Sequence, residues 1–313
     1  MISLRYHVIS IGAVFLALAL GVVLGSTALS NTLLSGLSGQ KNNLAAQVSD
    51  LQSQRDGLNG QLTDADQFAT GIGPLAVRGT LAQRTVVLIL GPNASQTQAS
   101  ELGTLITDAG GTVTGQVQLT QNFTDPNQAD QLRDLVTRLI PAGVQLPVAS
   151  DPGTLAGGLL GPLVLLNKTS DAAQASPASV AAALAGLASG GFVKPGTQVQ
   201  PAQLAVILTG GAETGNDPAD RAAMLAQFAT QVQRSGAGTV LAGGAGSAGG
   251  SGAVGVLRAD SASNSIVSSV DDVDTAAGRV VTVLALQQQL NGKAGAYGTA
   301  GNAAAPVPEP PNN

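Results

Sequence analysis

Three carboxylates fall within four positions near the end of the chain, Asp271, Asp272 and Asp274 in "SSVDDVDT". Oxygen donors so close in sequence could hold a hard cation such as calcium or magnesium. The commoner use of such a run is a solvated turn before a helix. Asp274 would then cap the helix, its charge suiting the helix dipole, and the spacing favours that cap. A second candidate is Gly244-Ala245-Gly246-Ser247-Ala248-Gly249, which matches G-x-G-x-x-G. After a strand it marks where a dinucleotide pyrophosphate meets a helix N-terminus. Here the motif lies in a glycine-rich stretch and outside the first strand–helix unit, so no nucleotide is expected.

What is missing narrows the chemistry further. There is no cysteine, and His7 is the only histidine. Disulfides, thiol nucleophiles, iron–sulfur clusters, Cys-type zinc sites and His-based triads are therefore excluded from the folded part. The soft ligands that select copper reduce to His7, Met1 and Met224. No G-x-S-x-G elbow or activated lysine supports a nucleophile, so the chain reads as a non-enzyme, with no catalytic residue and no cofactor. A net charge of −5 argues against nucleic acid as a partner. Aromatic residues at 2% leave few stacking platforms for single strands.

The elements that would position these residues alternate between strand and helix. "TVVLIL" (Thr85–Leu90) reads as a buried strand, followed by a Gly91-Pro92-Asn93 turn and a Ser95-capped helix over about Gln96–Ala109. "TVTGQVQLT" (Thr112–Thr120) is a second strand, and Asp125-Pro126 opens a helix to about Ile140. "LVLL" (Leu163–Leu166) is a strand candidate, and Pro177–Ser189 a helix. "LAVILTGG" (Leu204–Gly211) and "TVLAGG" (Thr239–Gly244) flank a helix opened by Asp217-Pro218, and Asp274-Thr275 cap the last helix, to about Leu290. This alternation predicts the α/β class, with a doubly wound, Rossmann- or flavodoxin-like parallel sheet over residues 83–291. Residues 292–313, rich in Gly, Ala, Asn and Pro, are expected to form a disordered tail.

The N-terminal region has a different character. Val8 to Leu29 is almost wholly apolar, and as a helix those residues reach about 33 Å, enough to cross a hydrocarbon core. A cleavable signal has a shorter apolar region of roughly 7–15 residues, although Ser26-Thr27-Ala28 could serve as a cleavage site. The pattern beyond the span decides for a retained signal anchor. Leu44, Val48, Leu51, Arg55, Leu58, Leu62, Ala65, Ala69 and Ile72 recur in steps of three and four, with Leu34, Leu37 and Lys41 extending the seam backwards. That is a coiled coil over residues 30–73. No proline interrupts the chain before Pro74, so one helix can run from the membrane into the coil. Ala13, Ala17, Gly21 and Gly25 form a small-residue stripe suited to close helix approach in lipid. The stripe and the seam together predict a parallel homodimer, with Arg55 setting register at a cost in stability. Arg5 before the apolar span places residues 1–7 in the cytoplasm and the α/β domain outside.

"MISLRYHVISIGAVFLALALGVVLGS", the heptads, and "VDDVDTAAGRVVTVLALQQQLNGKAGAYG" resemble the actinobacterial MctB copper-transport protein family, over Met1 to about Gly298. The resemblance implies an envelope-associated protein linked to copper efflux and resistance, for which a pore across the mycobacterial outer membrane is proposed. It also implies, for some members, a link to a membrane complex governing peptidoglycan cleavage at cell separation. Copper enters as a transported ion through this resemblance alone. The residues themselves favour a dimeric, anchored scaffold with envelope or division proteins as partners.

Overall fold

The computed structural model describes residues 4–195 and 198–309, with residues 26–39 described by their backbone alone. The chain divides into two compact units, residues 1–64 and 65–313. A helix, α1 (Leu4–Ala76), begins in the first and ends in the second. Within the first unit, Leu4–Gly25 is long and apolar enough to cross a membrane, with a mean hydropathy of 2.6. The expected seam positions Leu34 and Leu37 lie outside the residues whose side chains are described.

The second unit alternates strand and helix. In chain order it contains β1 (Thr85–Leu90), α2 (Gln96–Asp108), β2 (Thr112–Gln118), α3 (Ala129–Arg138), α4 (Pro152–Val164) and α5 (Pro177–Ser189). It continues with β3 (Leu204–Leu208), α6 (Pro218–Gln233), β4 (Gly238–Ala242), α7 (Ala253–Ala259), α8 (Ser261–Asn264), β5 (Ser268–Val270), α9 (Ala276–Leu290) and β6 (Ala296–Tyr297). Among the described residues the strands form one sheet in the order β2-β1-β3-β4-β5-β6, every pairing parallel. β1, β3 and β4 are buried on both faces, which is why they read as unbroken apolar runs rather than alternating ones.

Strand side chains alternate between faces, and each face has its own core. Val87, Ile89, Ala205, Ile207 and Leu241 meet α3 through α7. Val86, Leu88, Leu90, Val206 and Val240 meet α2, α9 and the segment just after α1. Burying one such side chain stabilises the fold by about 1.5–3 kcal/mol. On the first face Phe123 and Phe228 pack edge to face, ring centres 5.3 Å apart.

Three elements differ from the sequence expectation. Leu163 and Val164 are the last turn of α4, and only Leu165 and Leu166 take isolated bridges. The helix survives its glycines because Gly153, Gly157 and Gly161 lie four residues apart against α6 and Ser235 just beyond it. A Cβ at Gly157 would stand 2.8 Å from the Phe228 carbonyl oxygen. Packing against α6 thus overrides weak helix propensity. The first helix also runs past Gly71-Ile72-Gly73-Pro74 to Ala76. There Gly73 sits against Leu105 and Val280, and Val77 is fully buried.

The third difference is the tail expected to be disordered. Residues 296–297 form β6 beside β5, Ala305 bridges Tyr297, and Tyr297 is buried. Residues 310–313 of that expected tail lie outside the described residues.

Candidate functional site

The chain leaves β1 outward to β2, then returns to form β3 on the opposite side of β1. Such a reversal opens a crevice at the carboxyl ends of the strands, the usual ligand position in open α/β sheets. The loops after β1, β2 and β3 each send a polar side chain there. Asn93 Nδ2 donates to Glu213 Oε2 at 2.9 Å, and Gln121 Nε2 donates to Asn93 Oδ1 at 2.7 Å. The Glu213 backbone N–H donates to the Ser251 carbonyl, tying in the loop after β4.

Arg221, from the first turns of α6, completes the cluster. Its Nε donates to the Asn216 carbonyl, Nη1 to Thr124 Oγ1 at 3.4 Å, and Nη2 stands 3.7 Å from Asp125. Glu213 is 5% exposed, and burial raises its pKa, a shift tempered by the charge of Arg221 and the Asn93 hydrogen bond. Asp125 is held low, first by the N–H of Asn127 and then by that residue's side chain. The sequence reading missed this cluster because its members are spread from Asn93 to Arg221. The available signal was position: Asn93 and Glu213 each come after a strand and a glycine turn.

The three aspartates do not converge. Asp271 Oδ2 pairs with Arg258 Nη1 at 2.6 Å, while its Oδ1 accepts the N–H groups of Thr299 and Ala300. Asp274 accepts the Ala245 N–H at 3.2 Å. Thr275, not Asp274, caps α9, its Oγ1 taking the Gly278 N–H at 2.9 Å. Asp272 Oδ1 is buried without a hydrogen-bond partner, and its pKa is pushed up to about 6 by burial and by the charges of Asp271 and Asp274. Among the described residues no three histidine, cysteine, aspartate or glutamate side chains are placed to hold a metal ion.

Gly244–Gly249 forms turns that fold back on themselves after β4. A Cβ at Gly252 would collide with the Ser247 carbonyl, and one at Gly255 with the Gly249 carbonyl. Within the motif, Gly246 takes a positive φ of 89°, while Gly252 and Gly255 beyond it permit the close backbone packing. With Asp274 bonded to Ala245, a negative charge already stands where a pyrophosphate would need to come.

The self-association candidates all lie on α1. Ala13, Ala17, Gly21 and Gly25 are exposed, with open space around both glycines. Leu44, Val48, Leu51, Leu58 and Leu62 are exposed too, Val48 least at 45% and Leu62 most at 68%. Arg55 turns to Asp56 at 2.8 Å. Nearer the end of α1 the buried face shifts. Ala65 and Ile72 are exposed, while Asp66, Ala69 and Gly73 face the α/β domain, and Asp66 Oδ1 accepts the Ala276 N–H at 2.5 Å. Heptad spacing alone could not separate a face used on a partner from one used on the same chain.

Residues 1–308 match the family described as copper transport outer membrane protein, MctB. The copper transporters MctB of Mycobacterium bovis and Mycobacterium tuberculosis are 40% identical over 304 residues, covering 96% of this chain and 96% of theirs. The copper transporter MctB of Mycobacterium leprae is 38% identical over 306 residues, 95% of this chain and 96% of its own.

Proposed function

Because the chain belongs to the MctB family of copper transport outer membrane proteins, we propose that it acts in copper efflux and copper resistance at the cell envelope. The observation that carries this reading is 40% identity, sustained across 96% of the chain, to proteins named copper transporters. In this proposal Val8–Leu29 is a signal anchor, residues 1–7 are cytoplasmic and the α/β domain lies outside. The strand order β2-β1-β3-β4-β5 supports a flavodoxin-like doubly wound domain, acting without catalysis.

Copper, as cargo, has little to hold it in that domain. Met224 is its single soft side chain, and it is 5% exposed in the core between sheet and helices. The protein therefore moves copper through an assembly rather than by a site of its own. Deleting the gene should raise cell copper and copper sensitivity, and the full chain should restore both. Unchanged copper content in the deletion strain would overturn the proposal.

A second reading rests on the exposed apolar seam at Leu44, Val48, Leu51, Leu58 and Leu62. We propose that it pairs two chains in parallel, as a scaffold for envelope or division proteins that regulate peptidoglycan remodelling. Co-purification from membranes, with and without residues 40–62, tests it. The same partners recovered from both forms would sink it.

A further inference from the structure

Beyond α5, Lys194 and Gln200 bond to the outer edge of β2. Lys194 N–H donates to the Gln118 carbonyl at 2.8 Å and Gln200 N–H to the Thr114 carbonyl at 3.3 Å. Between these residues and α5 lies a groove of about 1040 Å³. That is the upper end of the roughly 300–1,000 Å³ of small-molecule sites.

The walls decide what the groove can take. Val180, Ala181, Leu184 and Ala185 of α5 form one side, and Val193 and Val199 line the other. Among the described residues no lining side chain is aromatic, so a nucleobase or other flat ring would find nothing to stack on. The methyl and methylene groups suit a flexible alkyl chain instead, with Thr114, Gln198 and Gln200 adding uncharged polar groups to the lining. Among the described residues Lys194 is the single charged side chain on the lining, and it is exposed. An ammonium in that place offers a point charge to a carboxylate or phosphate.

We propose that this groove binds the acyl chain of an anionic amphiphile, with the chain along α5 and the anionic head at Lys194. The fatty-acid carboxylate and the phospholipid phosphate share that chemistry. The proposal does not depend on the copper reading.

The full chain, reconstituted in phosphatidylcholine nanodiscs, is irradiated with diazirine-bearing palmitate. Parallel arms use phosphatidylglycerol and hexadecanol carrying the same group, and labelled peptides are located by mass spectrometry. Saturable labelling of α5 and residues 198–200 by palmitate or phosphatidylglycerol is expected, and the stronger arm identifies the source of the head group. Ala185→Trp, at an exposed lining position, should lower that labelling about tenfold. Ala181→Trp does the same from the next turn, should the first variant fail to fold by circular dichroism. Lys194→Glu should weaken both anionic probes about fivefold and leave hexadecanol unchanged. Labelling confined to Leu4–Gly25, labelling unaffected by either tryptophan, or anionic labelling unaffected by Lys194→Glu would overturn the proposal.

Discussion

Arg258 and Asp271 meet at 2.6 Å with both side chains almost wholly buried. The guanidinium also reaches Ser269 Oγ, Asn302 Oδ1 and the Tyr297 carbonyl. The pair therefore joins α7 and β5 to the segment that carries β6. Asp271→Ala leaves the guanidinium buried without its counter-charge, and should cost about 3–5 kcal/mol. It should also free residues 296–309 to limited proteolysis. Thermal melts and a digestion time course check both. A variant whose C-terminal segment stays protected would contradict this account of β6.

Asp272 gives a pH dependence with a definite sign. Its folded pKa is raised from 3.8 to about 6, so the folded chain keeps a proton that the unfolded chain releases. Stability attached to this group is fully present below about pH 4 and is lost as pH rises to about 6. Glu213, shifted in the same direction by burial, adds to the trend. Asp272→Asn should raise stability at pH 7 by an amount of the order of 1–2 kcal/mol, allowing for solvent screening. It should also flatten the melting temperature between pH 4 and 6. Parallel curves for the variant and the wild type would refute the assignment.

Two glycines should respond to alanine in opposite ways. Gly157→Ala drives a Cβ against Phe228 and Gln231 where α4 crosses α6, and should destabilise by about 1–3 kcal/mol. Gly57 has open space around it within α1, so Gly57→Ala should stabilise that helix by up to about 1 kcal/mol. Circular dichroism melts of the two variants test the pair. Equal effects would mean that the α4–α6 contact is looser than described.

The coil prediction concerns the first unit. Changing Leu51 and Leu58 together to Asp should turn a fragment of residues 40–309 from dimer to monomer. Its α/β domain should stay folded, since both cores lie within residues 65–313. Arg55→Leu removes a charge from the seam and should raise coil stability while loosening the preference for two strands. Light scattering reads the mass and circular dichroism the fold. A wild-type fragment monomeric at tens of micromolar would remove the main support for pairing.

Local signals carried much of the fold. Thr85–Leu90 is an uninterrupted β-branched and leucine run, and it forms β1 with those bounds. Pro177 with Ser176 ahead of it opens α5, as proline at a first turn suggests. What escaped was set by contacts between distant residues. "PGTLAGGLLGPLV" has the composition of a loop, and it is helical because its glycine stripe meets α6. The last segment has the composition of a tail, and it is ordered because Arg258 and Asp271 bind its backbone. Asp274 has the chemistry of a cap, but its carboxylate goes to Ala245, and Thr275 takes the cap. The Asn93–Glu213–Gln121 cluster exists through topology alone. No stretch of sequence contains it.

The placement of β6 also bears on the order in which the molecule is made. Arg258 and Asp271 emerge during synthesis before the residues that cover them, and β5 stays without an outer neighbour until Ala296 and Tyr297 arrive. A chain ending before Gly295 would keep the Arg258–Asp271 pair but lose the backbone groups of Tyr297, Thr299 and Ala300 that complete it. It would also leave β5 as an open edge, free to pair with another strand.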